Sequence, residues 1–164
     1  MKLYILRHGQ TDYNLQGRFQ GQIDIPLNEN GKNQAIEALK IFKDVDIDVI
    51  FSSPLSRAKD TVKKISEYKN IDIIIDNRII ERSFGNLEGK YSVDNLEKYN
   101  IENMMHLKQR VFSFLNDIIK EYNDKNVLVA THEGIAKVVE IFFYGEEAGK
   151  NFRLKNGEYK IYYV

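Results

Sequence analysis

Four short apolar runs constrain the fold of this chain more than any other feature of its sequence. They lie at residues 3–6, 49–51, 71–75 and 127–130, and each has the length and composition of a strand that is buried on both faces. Segments with helical spacing separate them. Alternating strands and helices predict an α/β fold of three layers, α/β/α, in which helices cover both faces of a central sheet.

The helical segments are indicated by apolar residues that recur three and four positions apart. The first opens at Asn28, which can cap a helix with its side-chain oxygen. The second is predicted to open with Ser53 as the cap and Pro54 as the first helical residue. The longest pattern covers residues 103–122, and a further one covers residues 135–143.

A closing strand is predicted at residues 159–164, after the tight-turn pair Asn156 and Gly157. Because this strand follows a turn, it need not run in the direction of the others, and the sheet is predicted to be mixed and mostly parallel. A chain of 164 residues is long enough for one substantial core and short for two. Residues 1–164 are therefore predicted to form a single domain.

Charge and composition exclude several classes of protein. The 24 Lys and Arg residues balance the 24 Asp and Glu residues, so no overall charge favours nucleic acid or an anionic membrane. The sequence has no cysteine, which excludes disulfides, thiol catalysis and thiolate metal sites and is typical of a reducing compartment. No apolar stretch has the length of a signal peptide core or a membrane span. We expect a cytoplasmic protein without nucleic-acid or membrane partners.

Polar residues with related chemistry follow three of the predicted strands. Arg7 and His8 come directly after the first, Arg57 lies shortly after the second, and His132 follows the run at residues 127–130. Because ligands bind beyond the carboxyl ends of the strands in open α/β sheets, these side chains are expected to meet. The planar guanidinium group matches phosphoryl oxygens, so Arg7 and Arg57 predict a clamp for a phosphate monoester.

Two histidines and one carboxyl group complete the predicted site. The nearby arginines disfavour the imidazolium form of His8, which leaves a ring nitrogen free to attack phosphorus. His132 can then donate to the phosphoryl oxygens. Glu81 is predicted to protonate the leaving alcohol and later to activate the water that hydrolyses the phosphohistidine. Burial and the bound phosphate are expected to raise the pKa of this carboxyl group.

Several ordered motifs surround these residues and extend over nearly the whole chain. They are Arg7-His8-Gly9-Gln10-Thr11 with Asn14, Gly17-Arg18-Phe19-Gln20-Gly21 through Asp24, Pro26-Leu27, Gly31, Gln34-Ala35, Ser52-Ser53-Pro54-Leu55-Ser56-Arg57-Ala58, Glu81, Phe84-Gly85, Leu87-Glu88-Gly89, and Thr131-His132 with Gly134. Together they resemble the histidine phosphatase superfamily, which includes cofactor-dependent phosphoglycerate mutase and fructose-2,6-bisphosphatase.

The resemblance implies a phosphoglycerate mutase-like fold and the same five catalytic residues in the same roles. It adds that Asn14 contacts the phosphate and that Gln20 and Gly21 lie beside the substrate. It implies no metal and no nucleotide cofactor.

Two departures from the family pattern bear on function. Few residues separate Gly89 from the long predicted helix, where mutases carry a larger insertion, so the lid, predicted near residues 82–103, is short. A short lid admits water and favours hydrolysis over return of the phosphoryl group to substrate, and it predicts broad or modest specificity. Glu133 stands where relatives often have a small residue. Its charge beside the substrate either weakens phosphate binding or points elsewhere.

The sequence thus predicts a phosphomonoester hydrolase that acts on small phosphorylated metabolites, such as sugar phosphates or phosphoglycerates, through a phosphohistidine. A phosphoglycerate mutase is the nearest alternative, because the same residues serve both reactions. A catalytically weak phosphate-binding or regulatory module is the second, because such a pocket can hold phosphorylated ligands without turnover. The expected partner is a small phosphorylated substrate, and the chain is expected to be a monomer or a homodimer.

Overall fold

A computed structural model describes residues 1–91 and 96–164. Its strands are β1 (Lys2–Arg7), β2 (Val49–Ser52), β3 (Ile73–Ile75), β4 (Asn126–Thr131) and β5 (Tyr159–Tyr163). They form one sheet in the order β3-β2-β4-β1-β5. The first four strands pair in parallel, and β5 pairs with β1 in the antiparallel sense. The prediction of a mixed, mostly parallel sheet is confirmed.

Helices connect the strands across both faces of the sheet. The α-helices of the described residues are α1 (Asp12–Gln16), α2 (Glu29–Phe42), α3 (Ser56–Lys69), α4 (Met104–Glu121), α5 (Glu133–Tyr144) and α6 (Glu146–Asn151). Short 3-10 turns occupy Asn77–Ile79, Gly85–Leu87 and Leu96–Tyr99.

The alternation of side chains along the strands divides the core into two layers. In β1, Leu3 and Ile5 pack with buried residues of α4 and α5 on one face. Tyr4 and Leu6 point to the opposite face and pack with α2 and α3, because successive side chains of a strand lie on opposite sides of the sheet. The predicted α/β/α arrangement is therefore confirmed.

Helix ends were predictable where the cap is local. The longest helix was predicted over residues 103–122, and α4 begins after Asn103, whose Oδ1 accepts a hydrogen bond from the Met105 backbone N–H at 2.7 Å. The predicted cap Asn28 accepts a hydrogen bond from the Gly31 N–H at 2.9 Å. Both helices satisfy an otherwise unpaired N–H of their first turn in this way.

Two predictions of local structure are wrong. Helix α3 does not begin at Ser53 and Pro54; its N-cap is Leu55, which provides no side-chain hydrogen bond. The run at residues 71–75 is not a buried strand, because only Ile73–Ile75 pair, at the edge of the sheet. Ile74 and Ile75 are 42% and 46% exposed. A strand at an edge has no neighbour on one side, so apolar composition alone does not bury it.

The predicted lid near residues 82–103 is described only at its two ends, and residues 92–95 lie outside the described residues. No helix in the described ranges combines the length and the apolar character needed to cross a membrane.

Candidate active site

The register of the sheet brings the two histidines together. Arg7 of β1 pairs with Thr131 of β4, so the following residues, His8 and His132, leave neighbouring parallel strands at the same level. The backbone N–H of His8 donates to the Thr131 carbonyl at 2.9 Å, and the two imidazole rings lie 5.1 Å apart, centroid to centroid. The carboxyl ends of β1 and β4 thus form the floor of the site.

A cavity of about 420 Å³ opens above this floor. It is lined by eight of the predicted residues: Arg7, His8, Asn14, Gln20, Gly21, Arg57, Glu81 and Glu133. His132 is fully buried behind His8. The structure therefore brings all the predicted site residues together, and it adds six that sequence reasoning did not place there: Arg18, Phe19, Phe84, Gly134, Lys137 and Arg153.

His8 is held in one tautomer. Its Nδ1 lies 2.7 Å from the carbonyl oxygen of Gly9, and because a carbonyl can only accept, Nδ1 carries the proton. Burial, followed by the charge of Arg57, holds the pKa of His8 well below its usual value. The ring is neutral, and its Nε2 retains a free lone pair.

Arg57 is fixed by backbone carbonyls of the loop after α1. Its two terminal nitrogens donate to the carbonyls of Ile23 and Gly21, each at 2.8 Å, and the residue is 1% exposed. Burial lowers the pKa of Arg57 to about 10, so the side chain is still positively charged at neutral pH. These carbonyls offset the cost of a cation in the first turn of α3, where the helix dipole is unfavourable.

Arg7 is oriented from the other side of the cavity. Its Nη1 donates to the Leu154 carbonyl at 2.7 Å and lies 2.8 Å from Oε2 of Glu133. Glu133 therefore does not point away from the site. It neutralises part of the charge of Arg7 and holds the guanidinium plane in place.

Ser53 orients His132 and is not the helix cap that its sequence position indicates. The Ser53 Oγ accepts a weak hydrogen bond from the Leu55 N–H at 3.4 Å and lies 2.7 Å from Nε2 of His132. Its own O–H can therefore donate to Nε2, which leaves the proton of neutral His132 on Nδ1. Burial, with Arg57 second, keeps the pKa of His132 well below its usual value.

Three buried nitrogens at this site have no hydrogen-bond partner among the described residues: Arg7 Nε, Arg57 Nε and His132 Nδ1. Leaving a buried donor unpaired costs roughly 1–3 kcal/mol, and more when it is charged, so native structures rarely tolerate it. All three are N–H donors on groups that surround one nucleophilic nitrogen. Their natural complement is an oxyanion with several acceptor oxygens.

Glu81 is the buried carboxyl group of the cavity. It is 9% exposed, and its two oxygens accept hydrogen bonds from the backbone N–H groups of Arg82 at 2.8 Å and Gly134 at 3.3 Å. Burial nevertheless raises the pKa of Glu81, although both hydrogen bonds and the nearby arginines oppose the shift. A carboxyl group with a raised pKa keeps its proton to a higher pH than a free one, and it can give and take a proton.

The nearby Glu88 has a different environment. Its Oε1 accepts hydrogen bonds from the backbone N–H groups of Gln22 and Phe84, each at 3.0 Å, and Glu88 is not among the residues that line the cavity. It ties two loops of the cavity wall together.

The residues implied only by the resemblance also lie at the cavity. The Oδ1 of Asn14 accepts hydrogen bonds from the Thr11 N–H and the Asn156 amide, each at 3.1 Å, which leaves its amide N–H group to face an anion. The Oε1 of Gln20 accepts from the Thr11 hydroxyl at 2.7 Å. Gly21 contributes the carbonyl that holds Arg57.

Sequence reasoning missed the supporting role of Asn156. Its amide donates to the carbonyl of His8 at 3.1 Å, so the turn before β5 supports the backbone of the nucleophile. The only sequence signal was the turn pair that it forms with Gly157. Within the described ranges, no group of three or more His, Asp or Glu residues is placed to hold a metal ion.

Comparison with known proteins gives a consistent result. A family profile described as "Histidine phosphatase superfamily (branch 1)" matches residues 3–163. The chain is 37% identical over 134 residues to an uncharacterised phosphatase, PhoE, of Bacillus subtilis (strain 168), covering 78% of this chain and 69% of the relative. It is 29% identical over 183 aligned residues to phosphoserine phosphatase 1 of Hydrogenobacter thermophilus, covering 100% of this chain and 87% of the relative.

A solved structure shares the fold over almost the whole chain. Phosphoserine phosphatase from Entamoeba histolytica, in complex with 3-phosphoglyceric acid, superposes with a TM-score of 0.86 at 26% sequence identity. The match covers 98% of this chain and 89% of that one.

Proposed function

Because this chain belongs to the histidine phosphatase superfamily, we propose that it hydrolyses phosphate monoesters of small metabolites through a phosphohistidine formed on His8. One observation carries the proposal. The three unpartnered donors on Arg7, Arg57 and His132 surround a neutral imidazole whose Nε2 is free. A phosphoryl group supplies the oxygens that these donors lack and the electrophile that this nitrogen attacks.

In the first step, the lone pair of His8 Nε2 forms a bond to phosphorus as the bond from phosphorus to the ester oxygen breaks. The arginines and His132 donate to the phosphoryl oxygens, whose charge is spread in the transition state. The carboxyl group of Glu81 gives its proton to the departing alkoxide, which leaves as the alcohol. The proton on Nδ1 of His8 stays in place, hydrogen-bonded to the Gly9 carbonyl.

In the second step, water attacks phosphorus and Glu81, now ionised, accepts its proton. The bond between Nε2 and phosphorus breaks, inorganic phosphate leaves, and His8 returns to the neutral tautomer. Glu81 is again protonated, so the cycle closes without any other reactant.

The substrate class is supported by the size of the site and by the relatives. The cavity of about 420 Å³ is larger than a phosphate group needs and fits a small alcohol as well. The relatives reported above include phosphoserine phosphatases, one of them in complex with 3-phosphoglyceric acid. We propose substrates of this size, such as phosphoglycerates and sugar phosphates.

The proposal includes the setting of the enzyme. We propose that residues 1–164 form one domain, present in the cytoplasm as a monomer or homodimer. Support comes from the absence of cysteine and from the balanced charge. Cell fractionation tests the location, and light scattering tests the assembly.

Two variants test the reaction. His8→Ala should abolish turnover and the acid-labile phosphoenzyme while leaving the circular dichroism spectrum unchanged, and unchanged turnover would reject the mechanism. Glu81→Gln should slow alkyl phosphates by about 10²-fold or more but activated aryl phosphates far less, because only alkoxides need a proton to leave. Equal losses on both substrates would show that Glu81 is not the acid. Transfer of the label from ³²P-enzyme to a second hydroxyl, instead of to water, would identify a mutase.

A further inference from the structure

The cavity holds more positive charge than one phosphate group requires. Its lining includes five cationic side chains and two carboxyl groups: Arg7, Arg18, Arg57, Lys137 and Arg153, with Glu81 and Glu133. A phosphate dianion and both carboxylates together leave one positive charge unbalanced. When Glu81 is protonated, two are left.

Two of these cations stand near the start of α5. Lys137 follows Glu133 by four residues, so both lie on one face of the helix, with Lys137 about 6 Å further along its axis. Arg153 approaches the same face from the segment after α6, with its Nε 3.7 Å from Oε1 of Glu133. The other oxygen of Glu133 is the one that contacts Arg7. Glu133 thus lies between an arginine of the phosphate site and this second pair of cations.

The second pair is available for a ligand. The ammonium group of Lys137 has no ion pair or hydrogen bond with the described side chains of residues 1–91 and 98–164. The Arg153 side chain is 65% exposed, its contact with Glu133 is long, and its one hydrogen bond among the described residues runs from Nη1 to the adjacent Phe152 carbonyl at 2.9 Å. Arg18, by contrast, is committed to the protein: its Nε donates to the Gly89 carbonyl at 2.7 Å, and its guanidinium stacks 4.0 Å above the Tyr13 ring.

We propose that Lys137 and Arg153 form a second anion subsite that binds a carboxylate on the alcohol part of the substrate. The two cations and Glu133 carry a local charge of one positive unit, which matches one carboxylate. Lys137 lies about one helical turn from the start of α5, which adjoins the phosphate site. This spacing suits a carboxylate that is a few bonds away from the phosphate ester. When such a substrate enters, Arg153 exchanges its long contact with Glu133 for the substrate carboxylate, and Glu133 stays on Arg7. The inference rests on the proposed phosphatase function and specifies its substrate class.

The test compares two substrates that differ in one group. 3-Phosphoglycerate has a carboxylate where glycerol 3-phosphate has a hydroxymethyl group, so the ratio of their kcat/KM values isolates the effect of the carboxylate. The wild-type protein should prefer 3-phosphoglycerate. Lys137→Gln and Arg153→Gln should each lower the ratio by about tenfold, the loss expected for one charged hydrogen bond. Lys125→Gln, an exposed lysine before β4 at the opposite end of the sheet, should leave the ratio unchanged.

The outcomes separate this subsite from the phosphatase function itself. If p-nitrophenyl phosphate is hydrolysed but 3-phosphoglycerate has no advantage over glycerol 3-phosphate, or if the ratio survives both substitutions, the subsite is wrong and the phosphatase stands. A ratio that collapses in Arg18→Gln, while Lys137→Gln and Arg153→Gln retain it, also overturns the subsite, because the carboxylate then binds the opposite wall. If the wild-type protein hydrolyses none of the three esters, both proposals are overturned.

Discussion

His8 and Glu81 are both buried, and burial moves their pKa values in opposite directions. The pKa of His8 lies well below 6.5, so its neutral, nucleophilic form persists into the acid range and is lost only as the pH falls through that lowered value. The pKa of Glu81 lies above 4.5, so its proton-donating form is lost as the pH rises through that raised value. Both active forms coexist on the acid side of neutrality.

The pH profile follows from these two shifts. We expect kcat/KM for an alkyl phosphate to be highest in mildly acid solution and to fall as the pH rises, because Glu81 loses its proton. In Glu81→Gln, measured with an aryl phosphate that needs no acid, this alkaline decline should disappear. A decline of the same position and depth in the variant would assign it to another group.

Ser53 gives a second prediction at the level of one side chain. Ser53→Ala removes the hydroxyl that lies 2.7 Å from His132 Nε2 and can donate to it, so part of the neutral imidazole should then carry its proton on Nε2 and present a lone pair from Nδ1 to the phosphoryl oxygens. We expect kcat to fall by about 10²-fold, the loss typical of one misplaced transition-state donor, and the free energy of unfolding to fall by roughly 1–3 kcal/mol, because a buried hydrogen bond is lost. Ser113→Ala, at an exposed position of α4, is the matched control. A full kcat in Ser53→Ala would show that Nδ1 of His132 carries its proton without help.

Residue types at strand ends were predictable, but their hydrogen-bond partners were not. The charge and nucleophilicity of Arg7, His8 and Arg57 are properties of the residues themselves, and their place after apolar runs is visible in the sequence. The roles of Ser53 and Asn156 depend on which segments lie side by side, and each has a competing local interpretation, as a helix cap or a turn residue. Local patterns describe a residue's nearest neighbours in the chain, whereas these contacts cross the molecule.

At the level of elements, the first turn of α5 packs directly against the carboxyl group of Glu81, the proposed proton donor. Gly134 is its second residue, and a Cβ there would collide with Oε1 of Glu81. Alanine is otherwise favoured over glycine in a helix by about 1 kcal/mol, and the carboxyl group sits at the end of a side chain that can rotate away. We expect Gly134→Ala to fold with a free energy of unfolding within about 1 kcal/mol of wild type but to displace Glu81.

The kinetic signature of Gly134→Ala should therefore resemble that of Glu81→Gln. Turnover of alkyl phosphates should fall by about 10²-fold, and turnover of activated aryl phosphates should fall much less. Asn116→Ala, an exposed helix position in α4, changes helix propensity without approaching the site and should preserve both rates. Loss of both activities in equal measure would mean that the substitution disturbs the whole site.

The elements that sequence patterns located are those whose signals are local and agree with the fold. Helix α4 has a continuous apolar face and its own cap, and its ends were predicted to within one residue. Helix α3 begins later than predicted, at Ser56 with Leu55 as its N-cap, and Ser53 lies before it, where its hydroxyl contacts His132. Strand β3 was predicted as buried because three consecutive isoleucines look the same at the edge of a sheet as at its centre.

At the level of the whole molecule, phosphate should stabilise the fold, because its ligands come from β1, α3 and the end of β4. Inorganic phosphate at about 100 times its Kd should raise the free energy of unfolding by about 2.7 kcal/mol, a rise in Tm of about 5 to 10 °C for a chain of this size. Thermal unfolding with phosphate, against chloride at equal ionic strength, measures the effect.

Arg57→Gln should lose most of this Tm rise relative to its own phosphate-free baseline, since the loop carbonyls can still bond to the amide but the charge is gone. Lys125→Gln should retain the full rise. The same rise in all three proteins would indicate a general salt effect or a phosphate site elsewhere.

The three-layer architecture was predictable from the alternation of apolar runs and helical patterns, whereas the order of the strands was not. Nothing in the composition of residues 3–6 indicates that they lie between β4 and β5. The position of β1 between β4 and β5 depends on how all five strands and the helices on both faces pack together. Because of this position, His8 lies beside His132 and Asn156.

The central position of β1 also bears on how the protein is made. On the ribosome, β1 emerges well before both of its neighbours in the sheet, because β4 begins only at Asn126 and β5 at Tyr159. Pairing across such sequence separations is slow, because the intervening loop must close first. Until β4 and the turn before β5 have been translated, a nascent chain therefore displays His8 without the second imidazole beside it and without the amide that supports its carbonyl.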